Sequence, residues 1–298
     1  MPTALLAPDL RRSWLFGPGA DPAAHDAMTA SGADLLIVDL EDFTPPPLRP
    51  RARALLPALL QRWRTAGAVT CVRINALAAD GPEDLAAAMA AGAQVIAYPM
   101  AAQPAHIADL CHRIGEYEVA QGLAAGLVEI LPVCETALGV VNVRDLAAAS
   151  MRVKAALLGT EDLAADLCAE RGPDAVELDH ARRRFVLEAR AAGIEPVDAP
   201  YTYGDVDGAV REARYARRLG YRCKSLVRPE HAAALNAALT PSADEVARAQ
   251  ALVQAFDAAR ARGDERARVD DLWVEVPTWR SAKRLIERAQ RLAAAHGR

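Results

Sequence analysis

Eight short apolar runs recur between residues 13 and 227, each ending in a polar turn and giving way to an Ala-, Leu- and Arg-rich stretch. They read SWLFGPG, DLLIVDLED, VTCVRIN, QVIAYPM, LVEILPVCE, KAALLGTED, EPVDAPY and RCKSLV. Strands alternating with helical segments imply parallel strands joined by crossover helices. Eight repeats favour closure of the sheet, which predicts an α/β fold, a (β/α)8 TIM barrel. An open doubly wound sheet is the alternative, but no G-x-G-x-x-G follows an early strand, and GPGADP after the first run is only a turn. With 298 residues, 52% of them hydrophobic, the chain has material for one large barrel core.

The segments between the runs are helical by composition: PRARALLPALLQRWRTA, PEDLAAAMAAG, PAHIADLCHRIGEYEVAQG, NVRDLAAAS, LDHARRRFVLEARAAG and VDGAVREARYARRLG. Several end in Gly, a common helix stop. After about residue 240 the pattern changes. TPSADEVARAQALVQAFDAARARG predicts a helix capped by Ser242, with Glu245 three residues on as a capping box. A charged link, DERARVDD, leads to a short extended piece and a final amphipathic helix in LWVEVPTWRSAKRLIERAQRLAAA. The reading is therefore a barrel domain over residues 1–240 and a helical tail or lid over 241–298 that could meet a neighbouring subunit.

Charge and composition exclude several classes. A net charge of −4 leaves no nucleic-acid footprint, and no apolar stretch reaches membrane-spanning length. The opening MPTALLAPDLRR lacks a basic n-region and a long apolar run, so no signal peptide and a cytoplasmic protein are expected. The five cysteines are odd in number, scattered and without C-x-x-C spacing, which reads as buried reduced thiols. The arginines of HARRRFVLEAR read as a solvated helix face before a phosphate site.

In a barrel of this kind the C-terminal strand ends form the active face. Asp39, Glu41 and Asp42 follow the second run; Arg73 and Asn75 end the third; Glu135 ends the fifth; Glu161 and Asp162 follow the sixth; Asp198 lies in the seventh, Lys224 and Arg228 in or after the eighth. Carboxylates converging without matching cations repel one another, and a dication removes that penalty. Oxygen donors without a His/Cys set point to a hard ion, Mg²⁺ before Mn²⁺. Each acid alone also reads as a helix cap, and Arg73 alone as a salt-bridge partner.

These residues together resemble a known family. RRSWLFGPG is similar to an R-S-x-L-F-x-P-G opening, and DLEDFTPPPLRPRAR to D-L-E-D-x-V-x-P-x-x-K-x-x-A-R. VRIN, LPVCETALGVVN, RVKAALLGTEDLAADL and EARAAGIEPVDAPY follow in order. The whole resembles the citrate lyase beta-subunit-like branch of the HpcH/HpaI aldolase superfamily, with its malyl-CoA and citramalyl-CoA lyases. That resemblance implies a Mg²⁺-dependent carbon–carbon lyase acting on a 3-hydroxyacyl-CoA through a thioester enolate. It implies Glu135 and Asp162 as metal ligands, Arg73 as the clamp on a 2-oxo acid carboxylate, Asp42 near the metal waters, and Arg12 and Lys224 as substrate contacts. VDDLWVEVP places Glu275 where the lyases carry an acid/base Asp, supplied in part of the family by a neighbouring subunit, and implies a homotrimer or hexamer. The rim departs from the pattern at Met100, Cys168, Arg228 and Glu275. Two competing readings stay open: a class II aldolase acting on free 2-oxo acids, and a non-catalytic or partner-dependent citrate lyase beta-like subunit.

Overall fold

A computed structural model describes residues 5–296, so the first four residues of the segment read for a leader lie outside it. The chain forms two compact units that divide between Ala237 and Ala238. In the first, eight parallel strands close into a barrel in sequence order. The elements run β1 (Ser13–Pro18), α1 (Pro22–Ala30), β2 (Leu35–Asp39), α2 (Arg49–Thr65), β3 (Val69–Arg73), α3 (Gly81–Ala90), β4 (Val95–Tyr98) and α4 (Pro104–Ala120). They continue with β5 (Glu129–Cys134), α5 (Ala137–Val141), α6 (Val143–Ala148), β6 (Ala155–Leu158), α7 (Glu161–Asp166), α8 (Asp179–Ala191), β7 (Glu195–Asp198), α9 (Val206–Leu219), β8 (Cys223–Leu226) and α10 (Ala232–Leu239). The predicted (β/α)8 architecture is present, and every one of the eight apolar runs contributes its strand.

Local chemistry explains the helix starts and stops. Asp21 caps α1 by accepting from the amides of Ala23 and Ala24. Thr136 caps α5 through Gly139 N, and Asp205 caps α9 through Gly208 N. α9 ends at Gly220 with φ 111°, a left-handed stop that a residue without Cβ takes without strain.

Strand parity fixes what faces the lumen. Successive side chains on a strand point to opposite faces. One buried cluster takes alternate residues: Trp14 and Phe16, Leu35 and Ile37, Val69 and Cys71, Val95 and Ala97, Leu131 and Val133, Ala155 and Leu157, with Val197 and Cys223. Only the interior of a closed barrel brings such residues from all eight strands together. The N-terminal end is plugged by Arg11, fully buried, whose two Nη atoms donate to the Glu129 carboxylate at 2.6 and 2.8 Å. Extending the parity toward the other end turns positions 39, 73 and 135 inward, and positions 198 and 224 outward.

The second unit is built on α11 (Ala243–Ala261), a hairpin of β9 (Ala267–Val269) and β10 (Leu272–Val274), and α12 (Val276–His296). Ser242 and Glu245 form the predicted capping box. The charged link read as connection is itself half strand: Ala267–Val269 pairs antiparallel with Leu272–Val274 across a turn in which Asp270 takes φ 51°. Phe256, Ala259, Ala267 and Val274 form its core, with Trp279 packed against them. Among the described residues no helix is long and apolar enough to cross a membrane.

Candidate active site at the barrel mouth

β2 and β3 run in register, Asp39 beside Arg73, and both point into the mouth. Arg73 is 5% exposed and sits in a cage of acids. Its Nε donates to Asp39 Oδ1 at 2.8 Å and its Nη2 to Asp39 Oδ2 at 2.5 Å. Nη2 also donates to Asp42 Oδ2 at 3.1 Å, and Nη1 lies 2.8 Å from Glu41 Oε2. Burial opposes the guanidinium charge, but Asp39 and Glu41 outweigh it and keep Arg73 firmly protonated. The ring of Phe16 packs beneath, 5.3 Å from the guanidinium carbon. Asp39 is fixed in turn by the amides of Glu41 at 2.9 Å and Phe43 at 3.1 Å.

Glu135, one residue past β5, is almost fully buried beside this cage. Its Oε1 accepts from Met100 N at 2.7 Å. Met100 achieves this in a left-handed conformation, φ 48°, unusual for a residue with a Cβ. Gly159, just past β6, is required by the same carboxylate: a Cβ there would lie 2.6 Å from Glu135 Cβ and 2.8 Å from its Oε2. Asp162 stands in the first turn of α7, on the solvent side.

The acids outnumber the cation. Burial pushes Glu135 up to about 7, opposed by Arg73 and Met100 N and reinforced by the charges of Asp162 and Asp42. Burial likewise pushes Glu41 up to about 8, against the pull of Arg73 and with Asp42, Glu135 and Asp39 adding to it. Asp162 is raised by burial and then by Asp42. The donor set is oxygen only. Among the described residues no three His, Cys, Asp or Glu side chains are grouped so as to hold a metal by themselves. A pair of carboxylates with open positions is the donor set Mg²⁺ commonly takes, keeping waters or substrate oxygens as its other ligands. Glu135 and Asp162, charge-crowded and oxygen-only, fit that ion.

The structure thus brings Glu135, Asp162, Arg73 and Asp42 to one mouth. Four other expectations, for Arg12, Lys224, Asp198 and Arg182, are corrected. Arg12 precedes β1 and is held by Asp34 at the N-terminal strand ends, with Nε to Oδ2 at 2.8 Å and Nη2 to Oδ1 at 2.9 Å. About 20 Å of strand separates it from the mouth, at 3.3 Å per residue, so it is no substrate contact. Lys224 points outward from β8 and is fully buried between strand and helix. Its Nζ donates to Asp198 Oδ2 at 2.7 Å, Ala199 O at 2.6 Å and Glu212 Oε2 at 3.2 Å, which uses all three N–H groups. Asp198 also leaves the mouth: it takes the Arg182 fork at 3.0 and 2.8 Å. Arg182 is therefore buried rather than part of a solvated face.

Asn75 bonds Leu40 O and Asp84 and serves the loop. Glu161 faces Arg171 and Thr202 on the rim. Cys168 is exposed with φ 53°, unlike the buried thiols Cys71, Cys134 and Cys223. Glu275 belongs to the second unit, exposed between β10 and α12, where its carbonyl accepts from Trp279 N at 2.9 Å. Sequence reasoning missed the Met100 amide, for which no residue-type signal exists, and the outward turn of positions 198 and 224, which strand parity could have revealed.

The chain is similar to known proteins over most of its length. The profile of the HpcH/HpaI aldolase/citrate lyase family matches residues 12–229. The chain is 32% identical over 283 residues to citrate lyase subunit beta of Haemophilus influenzae, covering 94% of this chain and 97% of that protein. It is 30% identical over 285 residues to a (3S)-malyl-CoA thioesterase of Cereibacter sphaeroides, covering 95% and 96%. The crystal structure of CitE from Mycobacterium tuberculosis, in complex with magnesium, acetoacetate and coenzyme A, superimposes with a TM-score of 0.76 at 27% identity, covering 94% of this chain and 98% of that one.

Proposed function

The chain belongs to the HpcH/HpaI aldolase/citrate lyase family, and from that premise we propose that it is a Mg²⁺-dependent carbon–carbon lyase that cleaves or forms a 3-hydroxyacyl-CoA of the citryl, malyl or citramalyl kind. The observation that carries the reading is the acid-rich mouth, where Glu135 and Asp162 crowd beside the caged Arg73. Relatives named citrate lyase subunit beta and L-malyl-CoA/beta-methylmalyl-CoA lyase, and a neighbour solved with magnesium, acetoacetate and coenzyme A, support the substrate class.

Glu135 and Asp162 would hold the ion, which when bound supplies Lewis-acid stabilisation of charge on a keto-acid oxygen, worth several kcal/mol. Arg73 would orient the acid's carboxylate through its Nη1 group, the edge that Asp39 does not take. In the cleavage direction a carboxylate takes the hydroxyl proton of the thioester substrate, the carbon–carbon bond breaks, and the thioester fragment leaves as its enolate to be reprotonated. Asp42, half exposed and hydrogen-bonded to Arg73, is one proton acceptor in this scheme, and a Glu275 supplied by a neighbouring subunit is the other. A homotrimer or pair of trimers belongs to the same reading and is checked by light scattering.

The test is turnover of a panel of citryl-, malyl- and citramalyl-CoA with and without Mg²⁺, following keto-acid release. Metal-dependent release, abolished in Asp162→Asn and Glu135→Gln, is the expected result. Inertness toward every thioester overturns the lyase reading, and turnover of free 2-oxo acids without thioester replaces it with the aldolase.

A further inference from the structure

Arg73 has five N–H donors, and they are unequally committed. Asp39 takes Nε and Nη2, and Asp42 shares Nη2. The remaining pair, on Nη1, faces Glu41 Oε2 at 2.8 Å as an ion pair only. That oxygen is buried and has no hydrogen-bond partner. The three acids differ in how they are held. Asp39 accepts four N–H groups, two from Arg73 and two from the backbone. Asp42 is 57% exposed and solvated. Glu41 alone combines a buried oxygen with a misaligned contact, the cheapest of the three to displace. Its main-chain amide is pinned to Asp39, so the side chain can turn away while the loop stays in place.

We propose that Glu41 is an internal stand-in for the substrate carboxylate, occupying the Nη1 edge of Arg73 until a 2-oxo acid anion displaces it. This rests on the lyase reading above, because it requires that the mouth bind such an anion. Displacement answers a charge problem: an anion entering beside Asp39, Asp42 and Glu135 is opposed unless one resident acid gives up its place on the cation. The exchange also makes the site selective. A ligand without a carboxylate cannot evict Glu41, so neutral carbonyl compounds gain nothing from Arg73. Glu41 acts here as a positioning residue, through Arg73.

The test is calorimetry at saturating Mg²⁺, at a pH above the value of about 8 to which burial pushes Glu41 so that its carboxylate is ionised, with two probes, pyruvate and its neutral ester methyl pyruvate, on the wild type, Glu41→Gln and Glu41→Ala. Removing the competing charge is expected to tighten pyruvate binding about tenfold or more, the scale of one like charge removed from contact distance. Methyl pyruvate binding stays within about twofold, a split that general loosening of the loop would not produce. Unchanged or weaker pyruvate binding in both variants overturns the proposal, as does equal tightening of both probes. If the wild type binds no pyruvate, the lyase reading fails first, and this inference falls with it; that outcome is read from the wild-type arm alone.

Discussion

Replacing Lys224 with Met separates a structural lysine from a substrate-binding one. Met keeps most of the apolar stem and removes the ammonium. In the native wall, Arg182 and Lys224 balance Asp198 and Glu212, with Asp198 and Lys224 both fully buried. Asp198 is held below its ordinary range: burial opposes its charge, and Arg182 and then Lys224 overcome it. Without Lys224 the cluster carries one uncompensated negative charge, and Ala199 O loses its donor. Breaking a buried pair by removing one partner costs about 3–5 kcal/mol. At roughly 2–4 °C per kcal/mol for a unit of this size, that is a fall of about 6–20 °C in Tm. The assay is a thermal melt followed by circular dichroism, paired with pyruvate calorimetry at a temperature where the variant is still folded. The expected outcome is a large drop in Tm with pyruvate affinity within about twofold of the wild type. An unchanged Tm with lost pyruvate binding would refute the argument and return Lys224 to the site.

Gly159→Ala drives a methyl group into Glu135 and is expected to weaken Mg²⁺ binding by calorimetry while costing about 1–3 kcal/mol of stability from overpacking; native metal affinity would contradict the close approach. Arg12→Ala should lower Tm, by loss of the Asp34 fork, and leave pyruvate affinity alone. Glu118 is kept below its ordinary range because Arg152 and the amides of Gly126 and Val128 outweigh its burial. Its contribution is complete above the unfolded value of 4.5 and is lost as pH falls through the depressed folded value. The Tm gap between the wild type and Glu118→Gln should therefore be widest at neutral pH and shrink below about pH 4; a gap that widens in acid reverses the sign.

The barrel was legible because its signal is repetitive. Each strand is a run of buried apolar residues, and eight of them in alternation with helices admit few closed arrangements. The hairpin of the second unit escaped notice because Ala267–Val269 is three residues long and sits in a charged context, where no periodicity can be read. At the site, residue type was informative and direction was not. Asp39 and Asp198 are the last residues of their strands and Lys224 is the second of β8, yet Asp39 opens on the mouth and the other two on the wall. The difference is one step of parity: Asp39 lies two residues after the lumen residue Ile37, whereas Asp198 and Lys224 lie one residue after the lumen residues Val197 and Cys223. Met100 was opaque for another reason: its contribution is a main-chain N–H presented by a left-handed turn, and a backbone donor leaves no trace in side-chain chemistry.

Two charged clusters on the same barrel show what distinguishes a site from a strut. In the wall, two cations face two anions and the ammonium of Lys224 has every donor used, so the cluster is complete and any further ligand would have to break it. At the mouth, one guanidinium faces Asp39, Glu41 and Asp42, with Glu135 and Asp162 close enough to raise or be raised by their neighbours' charges. Such a surplus is costly while the acids stay ionised, and it adds to the burial that already raises Glu41 and Glu135. A dication relieves it, and so does the departure of one acid from Arg73. The imbalance thus supplies the driving force for both binding events, and a variant that neutralises it, such as Glu135→Gln, should lose metal affinity even where the fold is intact.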